Sequence, residues 1–360
     1  MAGRSLYRAP DGRLGAGLLL LLLAAGMLGS SLLALDLGAT DTSLSSVPQL
    51  FELAWSGHAA SAESEMAWLV LSGIRLPRLV LGIATGAALG TSGAVMQGLF
   101  RNQLADPGLV GVSAGAALAT ALVIVLGDGA LASVLQPLGP WAQPLAGLLG
   151  ALLGTAILYA LATREGVTSI GTVLLGGIAL AAFCAAFTGL LVYMADDRAL
   201  RDLSFWTLGS LSGASWRAIG AALPFLAVGT LCLCFLASSL NALLLGEADA
   251  FHLGTDVQRT KRLAMVGVAS LTGAAVASVG IIGFVGVLVP NLVRLVSGPD
   301  HHVVLPASAL LGGTLLILSD TLARTIAAPA EVPVGIVTAL LGAPVFIWLL
   351  LRDDGRISSL

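Results

Sequence analysis

Arg75 and Arg78 stand one helical turn apart at the head of a long apolar stretch, RLPRLVLGIATGAALGTSGAVMQGLF. A guanidinium presents a planar fork of donors that matches a carboxylate bidentately. Such a pair can hold an acidic partner and steer its approach, or it can snorkel to a membrane surface. Asp320 and Arg324 are a second charged pair set in an apolar stretch. Their four-residue spacing puts them on one helix face, where they either lower each other's cost as a local pair or mark an ion-coupling site. Between the first apolar stretch and the next lies one short polar turn, Arg101-Asn102-Gln103-Leu104-Ala105-Asp106-Pro107-Gly108. Asp106 is placed there to cap a helix whose first position is Pro107.

Other reactive residue types are thinly spread. His301 and His302 invite a reading as metal ligands, but they fall between two apolar spans and read as a solvated loop, as do His252 and His58. Met96 and Met194 fit contact with a flat apolar ligand and apolar packing equally well. Cys184, Cys232 and Cys234 all lie in apolar runs and read as buried small hydrophobes, without disulfide or zinc spacing. No GxxxxGK[ST], HExxH or GxSxG motif occurs, and Lys261 is the only lysine. No catalytic residue and no metal site is therefore expected, and any pumping must draw its energy from a partner.

The elements that carry these residues are membrane spans. The 360 residues are 57% hydrophobic and 10% charged, with a mean hydropathy of +0.97, against about 25% charged in soluble domains. About ten stretches reach the length a bilayer requires. They run over 14–35, 76–99, 107–127, 141–162, 169–194, 216–238, 263–282, 284–297, 303–325 and 332–351, the seventh and eighth being parted by Gly280, Gly283 and Gly286. Gly82, Gly86 and Gly90 line one face of the second span, a small-residue face that lets another backbone approach inside lipid. Residues 1–35 could be a signal peptide, but the long apolar run without a clear cleavage site favours a retained first helix. Between Arg13 and Arg75 there is no basic residue, while Asp36, Asp41, Glu52, Glu63 and Glu65 occur. Segment 36–70 therefore reads as an external loop, and the distribution of arginines puts both termini in the cytoplasm. The fold class is an all-α polytopic membrane protein, one transmembrane domain over 1–360.

The segments RLPRLVLGIATGAALGTSGAVMQGLFRNQLADPGLVGVSAGAAL, GFVGVLVPNLVRLVSGPDHHVVLPASALLGG, LLILSDTLAR and EVPVGIVTALLGAPVFIWLLLR resemble the permease subunits of ABC importers for cobalamin, siderophores and heme. The resemblance covers nearly the whole chain from about residue 70. It implies the type II importer fold and a homodimer in a bacterial inner membrane. Two cytoplasmic ATP-binding subunits that carry ATP and Mg would sit below it, and one periplasmic binding protein above. No permanently bound cofactor and no nucleic-acid partner are expected.

Residue by residue, the resemblance assigns three groups. Arg75, Arg78 and Arg324 match arginines that dock the two lobes of the binding protein through glutamates. In segment 240–262, Gly246, Glu247, Ala250, Leu253 and Gly254 match the pattern LGExxAxxLG of the region that couples to the ATPase. Two short helices broken at Gly254 would offer Phe251 and Leu253 to a cleft, and Glu247 suits a helix start. Asn102, Leu104, Thr168 and Ser169 match the cytoplasmic gate, with Gln103 where the family often has proline. They also fit simple turn and capping roles. The stretches QGLFRNQLADPGL and YMADDRALRDLSFWTLGSLSGASW look most like the heme importers, so heme is the expected cargo, with a ferric siderophore or cobalamin as the alternatives. A wide apolar path suits such chelates better than a bare metal ion. An ion-coupled secondary transporter is the rival of another class, disfavoured by the lack of paired intramembrane acids.

Overall fold

A computed structural model of the chain describes residues 15–37, 62–164, 167–168, 170–328 and 330–357. Helix α1 (Ala16–Asp36) is followed by α2 (Ala62–Val70), which runs through a π-helical turn (Leu71–Arg75) into α3 (Leu76–Phe100). Pro77 follows the π-helical turn directly, a local adjustment of the kind that accommodates a proline inside a continuous helical run. Arg101, in the left-handed conformation, ends α3. A 3-10 turn (Pro107–Val110) then leads into α4 (Val112–Leu126).

Helix α5 (Ala142–Ala162) ends in a two-residue antiparallel pair, β1 (Thr163–Arg164) with β2 (Val167–Thr168), before α6 (Ile170–Met194). A short amphipathic helix, α7 (Asp197–Thr207), connects to α8 (Trp216–Cys234). Two small helices follow, α9 (Ala237–Leu244) and α10 (Glu247–His252), and then α11 (Val257–Val279). The chain closes with α12 (Val285–Ser297), α13 (His301–Ile326) and α14 (Val334–Ile357).

Among the described residues, seven helices are long and apolar enough to cross a bilayer, and three shorter apolar ones lie at Val112–Leu126, Val285–Ser297 and Val334–Trp348. The expected all-α, polytopic fold is what forms, and the glycine break between the seventh and eighth spans is present at Gly280. Segment 36–70 differs from a plain loop at its end, where α2 begins at Ala62; residues 38–61, His58 among them, lie outside the described residues.

Helices α3, α11 and α13 form the centre of the molecule, with α3 packed most extensively on α13. The reason is size. A Cβ at Gly86 would strike the backbone of Gly312, and one at Gly90 the carbonyl of Ser308. The glycine face of α3 thus meets α13 backbone to backbone, where van der Waals contact replaces hydrophobicity as the adhesive. In contrast, α1 and α6 expose most of their apolar surface, including Leu175, Phe183, Phe187 and Tyr193 on α6. Of the cysteines, only Cys184 is buried; Cys232 is exposed on the apolar surface of α8.

Candidate functional site

The α3–α13 pair is antiparallel, and the polar side chains gather at its two ends. At one end stand Arg75 and Arg78 from the start of α3 and Asp320 and Arg324 from the close of α13. Arg78 is 8% exposed and lies between two carboxylates. Its Nε is 2.9 Å from both oxygens of Asp320, and one terminal nitrogen is 2.9 Å from both oxygens of Glu331. Asp320 is therefore held mainly by Arg78, 242 residues away in sequence, whereas its helical neighbour Arg324 is 3.8 Å off. The local pair expected from spacing is thus the weaker of the two.

Arg75 and Arg324 turn toward the last carbonyls of α1. Arg75 donates to the carbonyls of Leu35 and Asp36, and Arg324 to that of Ala34. Cations near a helix C-terminus satisfy its orphan carbonyls and its negative dipole end. The void among Arg75, Arg78, Asp320 and Arg324 is only about 10 Å³, room for about one water and no cargo. All three arginines assigned to docking are brought together, and their forks are turned inward. Glu331, missed from sequence, is the only carboxylate between Asp320 and Asp353, which is the signal that could have singled it out.

At the other end of α3 the polar turn is cross-tied. Asp106 caps as expected, accepting from the Gly108 N–H at 2.7 Å. Burial pushes the Asp106 carboxyl above its ordinary value, outweighing that hydrogen bond. Asn102 accepts from the Leu104 N–H at 2.9 Å, and both residues are exposed. The Gln103 carbonyl accepts from Asn291 of α12 at 3.0 Å. Gln97 donates to the Val287 carbonyl at 3.1 Å and accepts from Arg294. Thr168 pairs with Thr163 in the β1–β2 turn, and Ser169 lies outside the described residues.

The segment assigned to ATPase coupling lies at this same end. Gly246, at φ 121°, adopts a backbone that side-chain-bearing residues avoid, so the chain breaks here between α9 and α10 as well as at Gly254 (φ 83°). Glu247 opens α10 and pairs at 2.7 Å with the buried Lys261 of α11, which fixes the short helix to a long one. Ala250 is fully buried on the inner face of α10, while Phe251 and Leu253 are 71% and 65% exposed. Two large apolar side chains therefore stand out from a loop fastened from below.

His301 departs from the expected solvated loop. It is the first residue of α13 and is 0% exposed. Its backbone N–H donates to Asn241 Oδ1 at 2.8 Å, and its Nδ1 lies 2.9 Å from the same atom. His302 is exposed, 3.1 Å from the Ser238 hydroxyl. Met96 is buried within the protein and Met194 is exposed. No grouping of three or more metal-ligating side chains occurs among the described residues. A separate cleft of about 550 Å³, bordered by Asp128, Asp202, Trp206 and Ser210, opens at the arginine end.

Residues 21–352 match the FecCD transport family. The chain is 47% identical over 289 residues to the cobalamin import system permease BtuC of Halobacterium salinarum, covering 80% of this chain and 75% of that one. It is 42% identical over 345 residues to the hemin transport system permease HmuU of Yersinia pestis, covering 95% and 96%. Among solved structures, a metal-chelate type ABC transporter in an inward-facing conformation superposes with a TM-score of 0.78 at 27% identity, over 93% of this chain and 99% of that one.

Proposed function

The chain belongs to the FecCD transport family, and from that premise we propose that it is the permease of an ATP-driven importer whose cargo is heme. Membrane embedding and the permease role follow from the family and the apolar helices. The heme reading rests on one observation above all, the end-to-end alignment with a hemin permease across 95% of this chain. Cobalamin is the second reading, favoured by the higher identity to the archaeal cobalamin permease over a shorter stretch.

In this proposal two copies enclose the path, each pair served by two cytoplasmic ATP-binding subunits and one binding protein. The arginine end faces the periplasm and the turn end the cytoplasm, in keeping with the positive-inside distribution. Arg75, Arg78 and Arg324 receive the binding protein. Because Arg78 is already gripped by Asp320 and Glu331, docking through it exchanges the more exposed Glu331 for a carboxylate of the partner. Gly246, Glu247, Ala250, Leu253 and Gly254 present the coupling helix to the ATPase. Asn102, Leu104, Thr168 and Ser169 close the exit where the two copies meet. ATP and Mg bind the partner subunit alone.

The test is reconstitution of the full complex in liposomes with parallel uptake of hemin, a ferric siderophore and cobalamin. ATP-dependent hemin uptake fastest of the three is expected. Faster cobalamin uptake replaces the heme reading with the second one, and uptake driven by an ion gradient without ATP overturns the importer reading.

A further inference from the structure

Helix α9 is joined to the head of α13 by more than apolar contact. Asn241 Nδ2 donates to Asp300 Oδ1 at 2.7 Å, and Asp300 in turn caps α13 by accepting from the His302 N–H at 2.9 Å. With its amide nitrogen committed to Asp300, Asn241 turns its Oδ1 to His301. Two donors reach that oxygen, the backbone N–H and the ring Nδ1–H. The ring tautomer follows: Nδ1 carries the proton and Nε2 is a bare acceptor. That Nε2 is buried without a hydrogen-bond partner. It is directed at Gly98, where a Cβ would collide with it.

A leucine would fill this space without stranding a polar atom, so simple packing does not account for an imidazole here. What the imidazole does uniquely is bridge. One ring edge is fixed by a side chain of α9, and the Nε2 edge lies against the last turn of α3, just before Asn102 and Leu104. Three elements thus converge on one rigid ring: the segment that leads into α10, the head of α13, and the end of α3.

We propose that Asn241, Asp300 and His301 form a latch that makes α9 and the turn at 101–106 move as one body. His301 is the central positioning residue. The inference rests on the reading of 240–262 as the ATPase coupling segment. It goes further, by assigning the path along which motion of that segment reaches the exit. By reciprocity, a signal arriving at the arginine end travels back along α3 and α13 to the ATPase through the same contact.

The experiment uses the complete importer in proteoliposomes and reads basal ATP hydrolysis, its stimulation by the binding protein, and hemin uptake per ATP hydrolysed. His301→Leu should assemble with its partners and keep basal hydrolysis within about twofold, while stimulation falls at least about fivefold. His301→Asn places an amide nitrogen where Nδ1 was and should restore at least about half of the stimulation. Gly98→Ala displaces the ring from the other side and should reproduce the leucine phenotype, which keeps the question answerable if His301→Leu does not assemble. Full stimulation in either His301→Leu or Gly98→Ala overturns the latch. Gly254→Trp is run beside them: if it alone lowers stimulation, the latch fails and the coupling segment stands. If it too leaves ATPase association and stimulation unchanged, the coupling-segment reading fails and takes the latch with it.

Discussion

At the arginine end of α3, a buried cation is held by two carboxylates; at the turn end, a buried imidazole is held by an amide and a capped helix head. The two arrangements have different weaknesses. An ion pair withdrawn from water is tolerable only while every charge is matched, so deleting one partner exposes the whole desolvation cost of the other. A neutral hydrogen-bonded bridge costs less to lose, but its value lies in fixed geometry, so small displacements matter more than charge. The first end resists change until it fails abruptly, and the second transmits change.

The sharpest way to break this contrast is Asp320→Ala, which leaves the buried Arg78 with the half-exposed Glu331 as its one remaining carboxylate and takes from Arg324 its helical neighbour. It should destabilise the protein by about 3–5 kcal/mol in thermal unfolding in lipid nanodiscs. The double replacement Arg78→Met with Asp320→Leu should recover most of that. A single-mutant loss below about 1 kcal/mol would remove the ionic account of this end. Next comes Gly86→Ala, between the two ends, where the added methyl must part the backbones of α3 and α13. A loss of about 1–3 kcal/mol is expected, and a neutral result would show that the close approach is not needed.

Two carboxylates at the turn end give a smaller and more specific effect. Asp106 has its carboxyl raised by burial, so the stability it contributes is full below its unfolded value of 3.8 and is lost as pH rises through the folded value. Asp300 is the reverse. Although burial alone would raise it, the Asn241 and His302 hydrogen bonds and the neighbouring histidines hold it down. Its contribution is present above 3.8 and lost as pH falls through the folded value. Asp106→Asn should therefore flatten one slope of a pH–stability profile and Asp300→Asn the other. Asp106→Ala, which also removes the cap, should cost about 1 kcal/mol more than Asp106→Asn. Slopes of the same sign for both would contradict the difference in surroundings. The smallest expected effect is Glu331→Gln. The Glu331 side chain is 43% exposed, so unfolding should shift by no more than about 1 kcal/mol and less still at high salt.

How far these features were legible follows sequence distance. Asp106 and Pro107 sit beside the helix they start, and both acted as their types suggest. Gly82, Gly86 and Gly90 announced a close-packing face; Gly86 and Gly90 meet the backbone of Gly312 and Ser308, which nothing local named, while Gly82 meets only the side chains of Leu211 and Ile317 at ordinary distance. The pairing of Arg78 with Asp320 spans 242 positions and competed with a plausible partner four residues away. The coupling segment was expected to break at Gly254; the second break, at Gly246 (φ 121°), had the glycine itself as its local signal, whereas the Glu247–Lys261 contact exists only once α10 lies on α11. His301 looked solvated because its partner, Asn241, is 60 residues earlier on another helix. Short-range backbone chemistry was readable, and the matching of distant polar groups was not.

The glycine contact has one more consequence, mechanical in kind. Backbone crowding is confined to Gly86, Gly90 and Gly93, near the middle of α3. Beyond it run arms of about 15 Å toward Leu76 and about 10 Å toward Phe100 at the usual helical rise, tied through side chains such as Arg78 on Asp320 and Gln97 on the Val287 carbonyl rather than by backbone contact. Such a contact is a fulcrum. A rigid tilt that swings the Arg78 end by about 1.5 Å moves the Gly98 end by about 1 Å in the opposite sense. Spin labels at the two tips should report displacements of opposite sign, and displacements of the same sign would mean that α3 slides rather than rocks.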